Sequence, residues 1–150
     1  MLIIIIDNFL ESCDVVKYRE YVEKVGKTQS IITDEKMTGE FWEKYGDKIG
    51  GIGIILPYVT VTNSTKPVSR HKDGKLRGEK YKILIYLNGI EKNGGTIFYV
   101  NGGVERVQNK ENRLVLFDMD IEHESEKFRG DGIVKKAIGF RVLGKMDQEE

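Results

Sequence analysis

The chain has 150 residues, and its 24 lysine and arginine residues balance 24 aspartate and glutamate residues at a formal net charge of zero. This balance argues against non-specific binding to nucleic acid or to an anionic membrane surface. The length is typical of one domain, and a composition of 39% hydrophobic and 32% charged residues is typical of a globular protein. We therefore expect a single domain over residues 1–150, without a nucleic-acid or membrane partner.

The only cysteine, Cys13, excludes a disulfide within the chain and favours a reducing compartment. The apolar residues 1–6 are followed at once by Asp7, and they lack the length and the positive flank of a signal peptide or a membrane span. We interpret them as part of a buried strand, and we expect a cytoplasmic protein.

The N-terminal part, about residues 1–50, alternates between short strands and helices. Residues 2–6 and 30–33 predict strands, and residues 11–25 predict a helix that ends at Gly26. The apolar face of this helix is formed by Val15, Tyr18, Val22 and Val25.

A second helix is predicted with Thr38 as its N-cap and an end near Gly50. Three aromatic residues follow at helical spacing, which favours a core position over a binding site: Phe41, Trp42 and Tyr45.

From residue 52 to residue 143 the pattern changes to β-structure. The β-like runs are 52–62, 81–87, 96–100, 104–107, 113–117 and 134–143. Turn residues separate several of these runs, at 93–95, 101–103 and 130–132, and Asn101-Gly102 is a strong hairpin signal. We expect an α+β fold, in which the N-terminal helices pack on one sheet of a two-sheet jelly roll.

The two histidines of the chain, His71 and His123, are candidates for metal ligands. On an extended segment, His71 and Asp73 project from the same face, as two adjacent ligands of one metal must. Two histidines and one carboxylate form the facial triad of non-haem Fe(II) enzymes. They also suit catalytic zinc, and a chance H-x-D on a solvated loop is the third interpretation.

Further motifs follow the H-x-D in a fixed order. They are Tyr86-Leu87-Asn88, Gly94-Gly95 with an apolar strand, the run Arg113–Phe117, His123, and a last strand with a basic residue. In this order, over about residues 58–143, the chain resembles the 2-oxoglutarate and Fe(II)-dependent oxygenases, in particular their prolyl 4-hydroxylase-like branch. The resemblance implies a double-stranded β-helix, which is the jelly roll of this family.

The resemblance also implies a role for each matching residue. His71, Asp73 and His123 would bind Fe(II), and Tyr86 and Lys135 would hold the distal carboxylate of 2-oxoglutarate. Ile97 would line the cosubstrate pocket. The implied reaction consumes O₂, releases succinate and CO₂ and hydroxylates a C–H bond, most simply in a prolyl residue of a peptide or protein. The resemblance is also compatible with ascorbate as an additional reductant.

The last strand offers two cations for the cosubstrate. Alternation places Lys135 and Arg141 on one face, with Ala137 and Gly139 between them leaving a groove for a small dicarboxylate. Arg141 would bind a carboxylate through two parallel bonds, and Lys135 as a point charge. We prefer Lys135, because Lys-x-Ala-Ile matches the family pattern, although both residues could also be exposed charges.

Some features depart from the prolyl hydroxylases and leave the substrate open. Val68 stands where many members have an aromatic residue, and the last strand lacks their tryptophan. In the family, the loop that here carries Lys72, Lys75, Arg77 and Lys80 borders the substrate entrance. It would contact an acidic peptide or be simply solvated.

The sequence leaves two alternative functions. They are an oxygenase acting on a small molecule, such as an amino acid or a nucleobase, and a non-enzymatic jelly-roll protein that binds a metal or another ligand.

Overall fold

A computed structural model of the protein describes residues 1–25, 29–90, 94–127 and 133–144. Gly26, Asn93 and the turn at 130–132, which the sequence analysis singled out, lie outside the described residues. Among the described residues, no helix is long and apolar enough to cross a membrane.

The elements of the N-terminal part are β1 (Ile3–Ile6), α1 (Ser12–Val25), β2 (Gln29–Thr33), α2 (Glu35–Tyr45) and a 3₁₀ turn (Gly46–Ile49). The strands that follow are β3 (Gly53–Ser64), β4 (Tyr81–Tyr86), β5 (Thr96–Val100), β6 (Gly103–Val107), β7 (Arg113–Asp118), β8 (Glu122–Ser125) and β9 (Lys135–Gly144). They form a six-stranded sheet in the order β1-β7-β4-β9-β3-β2 and a three-stranded sheet in the order β6-β5-β8. Every pairing is antiparallel.

One face of the six-stranded sheet packs against the two helices. Val22 of α1 and Phe41 of α2 belong to the same buried cluster as Val61, Ile138 and Phe140 of the sheet. The rings of Phe41 and Phe140 stack at a centroid distance of 4.1 Å. Each fully buried side chain of this kind contributes about 1.5–3 kcal/mol, so this cluster anchors the sheet to the helices.

The other face of the same sheet packs against the three-stranded sheet. The buried cluster between the sheets contains Tyr86, Phe98, Val107, Val115, Phe117 and Ile121. Because strand side chains alternate, β9 presents Ile138 and Phe140 to the helices and Lys135 and Arg141 to the space between the sheets. All of the predicted site residues except Ile97 therefore belong to the inner side of the fold.

The second helix begins earlier than predicted. Asp34, and not Thr38, is its N-cap, because the Asp34 carboxylate accepts a hydrogen bond of 2.9 Å from the backbone N–H of Met37. An anionic oxygen at this position satisfies a free N–H and also interacts favourably with the helix dipole. The hydroxyl of Thr38, in the first turn, donates to the carbonyl oxygen of Asp34 instead.

The predicted hairpin at Asn101-Gly102 is confirmed. Asn101 and Gly102 have φ values of 52° and 73° and connect β5 to β6. Positive φ at both central residues is the requirement of the type I′ turn that fits the twist of paired strands. Strand β8 was not among the predicted runs, because its four residues include two glutamates and show no clear apolar alternation.

Candidate metal centre between the two sheets

His71 and His123 lie directly opposite each other on adjacent extended segments. Each donates its backbone N–H to the carbonyl oxygen of the other, at 2.9 Å in both directions. His123 belongs to β8, where it pairs with Phe98 of β5. This bridge brings together two side chains that the sequence places on separate motifs, and their ring centroids are 4.6 Å apart.

Both imidazoles are oriented by the backbone. Nδ1 of His71 lies 2.6 Å from the carbonyl oxygen of Ser69, and Nδ1 of His123 lies 3.0 Å from that of Ile121. Since a carbonyl oxygen only accepts hydrogen bonds, Nδ1 carries the proton in each ring and Nε2 keeps its lone pair. The same backbone contact orients metal-binding histidines in many proteins.

Asp73 completes the group of donor atoms. Its Oδ1 lies 3.1 Å from Nε2 of His71, and its Oδ2 lies 3.5 Å from Nε2 of His123. One donor atom from each of the three residues lies within 4.8 Å of the others. Cis ligands that sit ~2.1 Å from a metal ion are themselves roughly 3 Å apart, so this spacing is close to that of a coordinated set.

The charges around Asp73 keep it ionised. Burial by itself would raise the pKa of Asp73, but the contact with His71 and the charge of Lys82 hold this pKa well below its usual range. The contact with Asp73 raises the pKa of His71, whereas burial lowers the pKa of His123. The site therefore combines an anionic oxygen with an imidazole that stays neutral at neutral pH.

The three residues fit a divalent metal ion. Two nitrogen lone pairs and a carboxylate converge on one point, and only a cation stabilises such a convergence. Oδ2 of Asp73 is buried and has no hydrogen-bond partner among the described residues, although Lys82 Nζ lies 2.9 Å away. The combination of two imidazoles and one carboxylate suits Fe(II), and also zinc.

Lys135 lines an inner cavity together with His71 and His123. It is 5% exposed, and its Nζ lies 5.3 Å from the ring centroid of Tyr86. Burial lowers the pKa of Lys135 to about 8, although Glu126 opposes this effect. In the described part of the chain no carboxylate forms an ion pair with Lys135, so its charge is available to an anionic ligand.

Tyr86 is fully buried beside Lys135. Its hydroxyl shares a hydrogen bond of 2.6 Å with the hydroxyl of Thr96 on β5. Burial raises the pKa of Tyr86, so the phenol is neutral and able to donate. Thr96 lines the inner cavity together with Lys135, and sequence reasoning missed it.

Ile97 and Arg141 have surroundings that differ from those predicted for cosubstrate-binding residues. Ile97 is not among the residues that line the inner cavity, because alternation along β5 directs its neighbours Thr96 and Phe98 inward and Ile97 outward. Arg141 faces the space between the sheets, but its Nη1 donates to the carbonyl oxygen of Gly74 at 2.6 Å and to Glu79 at 2.7 Å. Its guanidinium is therefore engaged by the loop that follows Asp73.

Glu79 and Lys82 are site residues that sequence reasoning missed. Glu79 is fully buried, and its carboxylate accepts the backbone N–H groups of Leu76 and Arg77 as well as the guanidinium of Arg141. Burial opposes its ionisation, but these donors lower the pKa of Glu79 to about 2. The sequence did contain a signal for Lys82. It is a lysine on an otherwise apolar strand, and alternation places it on the same face as Leu84 and Tyr86.

Solved structures with the same fold are found among oxygenases. A prolyl hydroxylase from Trichoplax adhaerens, in complex with a peptide fragment of the hypoxia inducible factor oxygen degradation domain, superposes with a TM-score of 0.69 at 18% identity, over 98% of this chain and 86% of that one. A prolyl-4-hydroxylase from Pseudomonas putida has a TM-score of 0.67 at 13% identity, over 94% and 92% of the two chains. HygX from Streptomyces hygroscopicus, with nickel, 2-oxoglutarate and hygromycin B bound, has a TM-score of 0.69 at 13% identity, over 95% and 83%.

These likenesses define the class of fold. The chain has the two-sheet fold of the 2-oxoglutarate and Fe(II)-dependent oxygenases, and its resemblance to the prolyl 4-hydroxylase-like branch is confirmed at the level of the fold. No family model matches the sequence, and no curated protein is significantly similar to it.

Proposed function

We propose that the protein is a 2-oxoglutarate-dependent Fe(II) dioxygenase that hydroxylates a C–H bond. One observation carries this proposal: the inner cavity is lined by His71 and His123, whose donor atoms converge with that of Asp73, and it is also lined by the buried Lys135. A dicarboxylate that chelates a metal through its keto-acid end needs both features. In a zinc-binding or metal-free jelly-roll protein, nothing would require the buried ammonium of Lys135.

His71, Asp73 and His123 hold the metal in this proposal. The backbone contacts at Nδ1 keep both rings in the metal-binding tautomer, and Phe98 and Phe117 pack against His123 at centroid distances of 5.8 Å and 5.0 Å. These aromatic rings exclude water from one side of the donor group. When bound, the ferrous ion and 2-oxoglutarate supply the oxidising chemistry, in which O₂ is consumed, succinate and CO₂ are released and the substrate gains a hydroxyl group.

Lys135 and Tyr86 bind the distal carboxylate of 2-oxoglutarate. Lys135 gains the anionic partner that a buried cation needs, and the Tyr86 phenol donates to the same carboxylate while it accepts from Thr96. Arg141 has a different role, because Glu79 neutralises its charge and Gly74 accepts a further hydrogen bond from the same Nη1. It fixes the loop that carries Asp73.

The architecture in this proposal is a double-stranded β-helix. The six-stranded and three-stranded sheets form its two halves, and α1 and α2 cover the outer face of the larger sheet. Residues 1–150 would form one oxygenase domain, in which the space between the sheets is the active site.

The leading substrate is a prolyl residue in a peptide or protein. Two of the similar structures are prolyl hydroxylases, and one of them holds a peptide fragment. The second candidate is a small molecule, since HygX has the same fold and holds hygromycin B. The low identity to all of these structures leaves both substrates as proposals for this chain.

Anaerobic addition of Fe(II) and then 2-oxoglutarate to the protein tests the reaction class. We expect a visible charge-transfer band that requires both additions, and succinate once O₂ is admitted. His71→Ala should abolish both signals, while Lys75→Ala, a change at an exposed lysine paired with Asp120, should leave them unchanged. A wild-type protein that gives neither band nor succinate would refute the proposal.

A further inference from the structure

Lys82 is a buried cation beside the candidate metal centre. It lies on β4, directly opposite Arg141 of β9 and Phe117 of β7, and its side chain is 8% exposed. Its Nζ lies 2.9 Å from Oδ2 of Asp73. A lysine so close to a residue that would hold a divalent cation needs an explanation, because the ammonium and the bound ion would repel each other.

Lys82 also lies where two cavities meet. It lines the inner cavity that leads to Lys135, and it lines an outer cleft that opens beside His71 and Asp73. The described residues in the walls of the outer cleft include four cations and one carboxylate, that of Asp73. The four are Lys72, Lys75, Lys82 and Arg141.

Two of these four cations have carboxylate partners outside the metal centre. Arg141 is neutralised by Glu79 at 2.7 Å, and Lys75 by Asp120 at 3.0 Å. Among the residues that the structure describes, Asp73 is the only carboxylate partner of Lys82.

The charge of Lys82 is not balanced when the site is loaded. In the proposed function, the charge of the divalent metal is already offset by Asp73 and by the keto-acid carboxylate of 2-oxoglutarate. Lys82 then remains as one uncompensated buried positive charge, which is unfavourable unless another anion approaches it. The distal carboxylate of the cosubstrate cannot serve, since in the proposed function Lys135 binds it.

A second unsatisfied group lies next to Lys82. Thr60 also lines both cavities, and its buried hydroxyl has no hydrogen-bond partner among the described residues. Thr60 and Lys82 flank Gly139, where an added Cβ would come within 3.3 Å of both side chains. The side chains of Lys82 and Thr60 therefore close in over Gly139, which brings the cation and the unpaired hydroxyl near each other on one surface.

We propose that the substrate carries a carboxylate group, and that this group binds in the outer cleft to the ammonium of Lys82 and the hydroxyl of Thr60. This inference rests on the proposed function and names the substrate class for the same site. Because Lys82 touches the metal ligand Asp73, the carboxylate must lie close to the carbon that reacts. It therefore belongs to a small amino or carboxylic acid, or to an acidic residue immediately beside the target residue of a peptide.

Acetate is a probe of this subsite that does not require the substrate to be known. The protein is loaded anaerobically with Mn(II) and N-oxalylglycine, which occupies the cosubstrate position, and carboxyl-labelled ¹³C-acetate is then titrated while its relaxation by Mn(II) is measured. We expect a saturable enhancement, and a dissociation constant at least tenfold higher in Lys82→Met. Lys82→Arg keeps the charge and should restore binding, and Lys17→Met, a change at an exposed lysine of α1 that pairs with Glu40, should resemble the wild type.

The outcomes separate this inference from the proposed function. If Mn(II) or N-oxalylglycine fails to bind the wild-type protein, both proposals are overturned. If both bind but the acetate relaxation does not saturate, or is the same in Lys82→Met, only the carboxylate subsite is overturned. The titration of N-oxalylglycine into each variant is the control, because a change at Lys82 that merely disturbed the fold would weaken this binding as well.

Two pairs of candidate substrates then distinguish the sources of the carboxylate. Free amino acids are compared with their amides, and peptides with glutamate next to proline are compared with the glutamine versions, by stimulated release of succinate. In one of the pairs, we expect the acid to stimulate succinate release at least tenfold more than its amide or glutamine partner. This preference should disappear in Lys82→Met. Equal stimulation by acid and neutral partners in both pairs, or none by any of them, would contradict the inference.

Discussion

Arg141 and Glu79 form an ion pair in which the two side chains are only 3% and 0% exposed, with Nη1 and Oε2 2.7 Å apart. The pair joins β9 to the loop between Asp73 and β4, because Arg141 also binds the carbonyl oxygen of Gly74 and Glu79 also accepts backbone N–H groups of the loop. Gly74 directly follows Asp73, so the pair helps to hold Asp73 in position.

Glu79→Gln should destabilise the fold by about 3–5 kcal/mol, because it leaves the guanidinium of Arg141 buried without its counter-charge. Urea denaturation followed by circular dichroism measures the change. Asp120→Asn is the matched control, since its pair with Lys75 is exposed and should be worth less than about 1 kcal/mol. Equal effects of the two substitutions would contradict the structural role of the buried pair.

The stability of the protein should fall as the pH drops below about 4.5. The folded state lowers the pKa of Glu79 from 4.5 to about 2, so that its ionisation stabilises the folded state above the higher value. This contribution is lost as the pH falls towards the lower value, and a shift of this size corresponds to about 3 kcal/mol. In Glu79→Gln the same pH range should show a smaller loss. Superimposable pH profiles of the two proteins would refute this assignment.

Asp73→Asn should abolish tight binding of Fe(II) or Mn(II), because the neutral amide removes the anionic ligand while nearly preserving its shape. Electron paramagnetic resonance of added Mn(II) measures the free ion directly. The substitution also leaves Lys82 buried without its carboxylate, so a loss of stability is expected together with the loss of metal. Wild-type affinity for Mn(II) in this variant would exclude Asp73 as a ligand.

The strands and helices were largely predictable, whereas the roles of the polar residues between the sheets were not. Each helix or strand depends on a local repeat, and these repeats are visible in the sequence. The contacts of Lys82 with Asp73 and of Arg141 with Glu79 depend instead on the register of β4 against β9 and on the path of the intervening loop. Alternation therefore placed Arg141 on the inner face, but it could not show that the guanidinium of Arg141 would form an ion pair with Glu79.

The order of the motifs was informative about the candidate site, because proteins that share this order also share the pairing of their strands. His71, Asp73 and His123 were named first from their residue types and spacing and then from a family resemblance, and the structure brings their donor atoms together. The choice of Ile97 was less reliable, since a shift of one residue along a strand moves a side chain to the opposite face. On β5 the residue that faces the cavity is the neighbouring Thr96.

Lys135→Met should raise the KM for 2-oxoglutarate by about 10- to 100-fold, the effect of losing one hydrogen bond to a charged group. The free energy of unfolding should change little, because no carboxylate of the described chain loses an ion-pair partner. Arg141→Met should show the reverse pattern, with a marked loss of stability and a smaller effect on KM. A larger effect of Arg141→Met on KM than that of Lys135→Met would make Arg141 the anchor of the cosubstrate.

Tyr86→Phe should weaken the binding of 2-oxoglutarate by about 0.5–1.5 kcal/mol, which is the net value of one neutral hydrogen bond. Thr96→Val removes the other member of the hydroxyl pair and should have an effect of similar size, since Thr96 orients the Tyr86 phenol through a bond of 2.6 Å. The double substitution should then cost less than the sum of the two single ones, because both act on the same hydrogen-bonded group. Isothermal titration of the Mn(II)-loaded proteins with 2-oxoglutarate measures all three, and strict additivity would show that the two hydroxyls act independently.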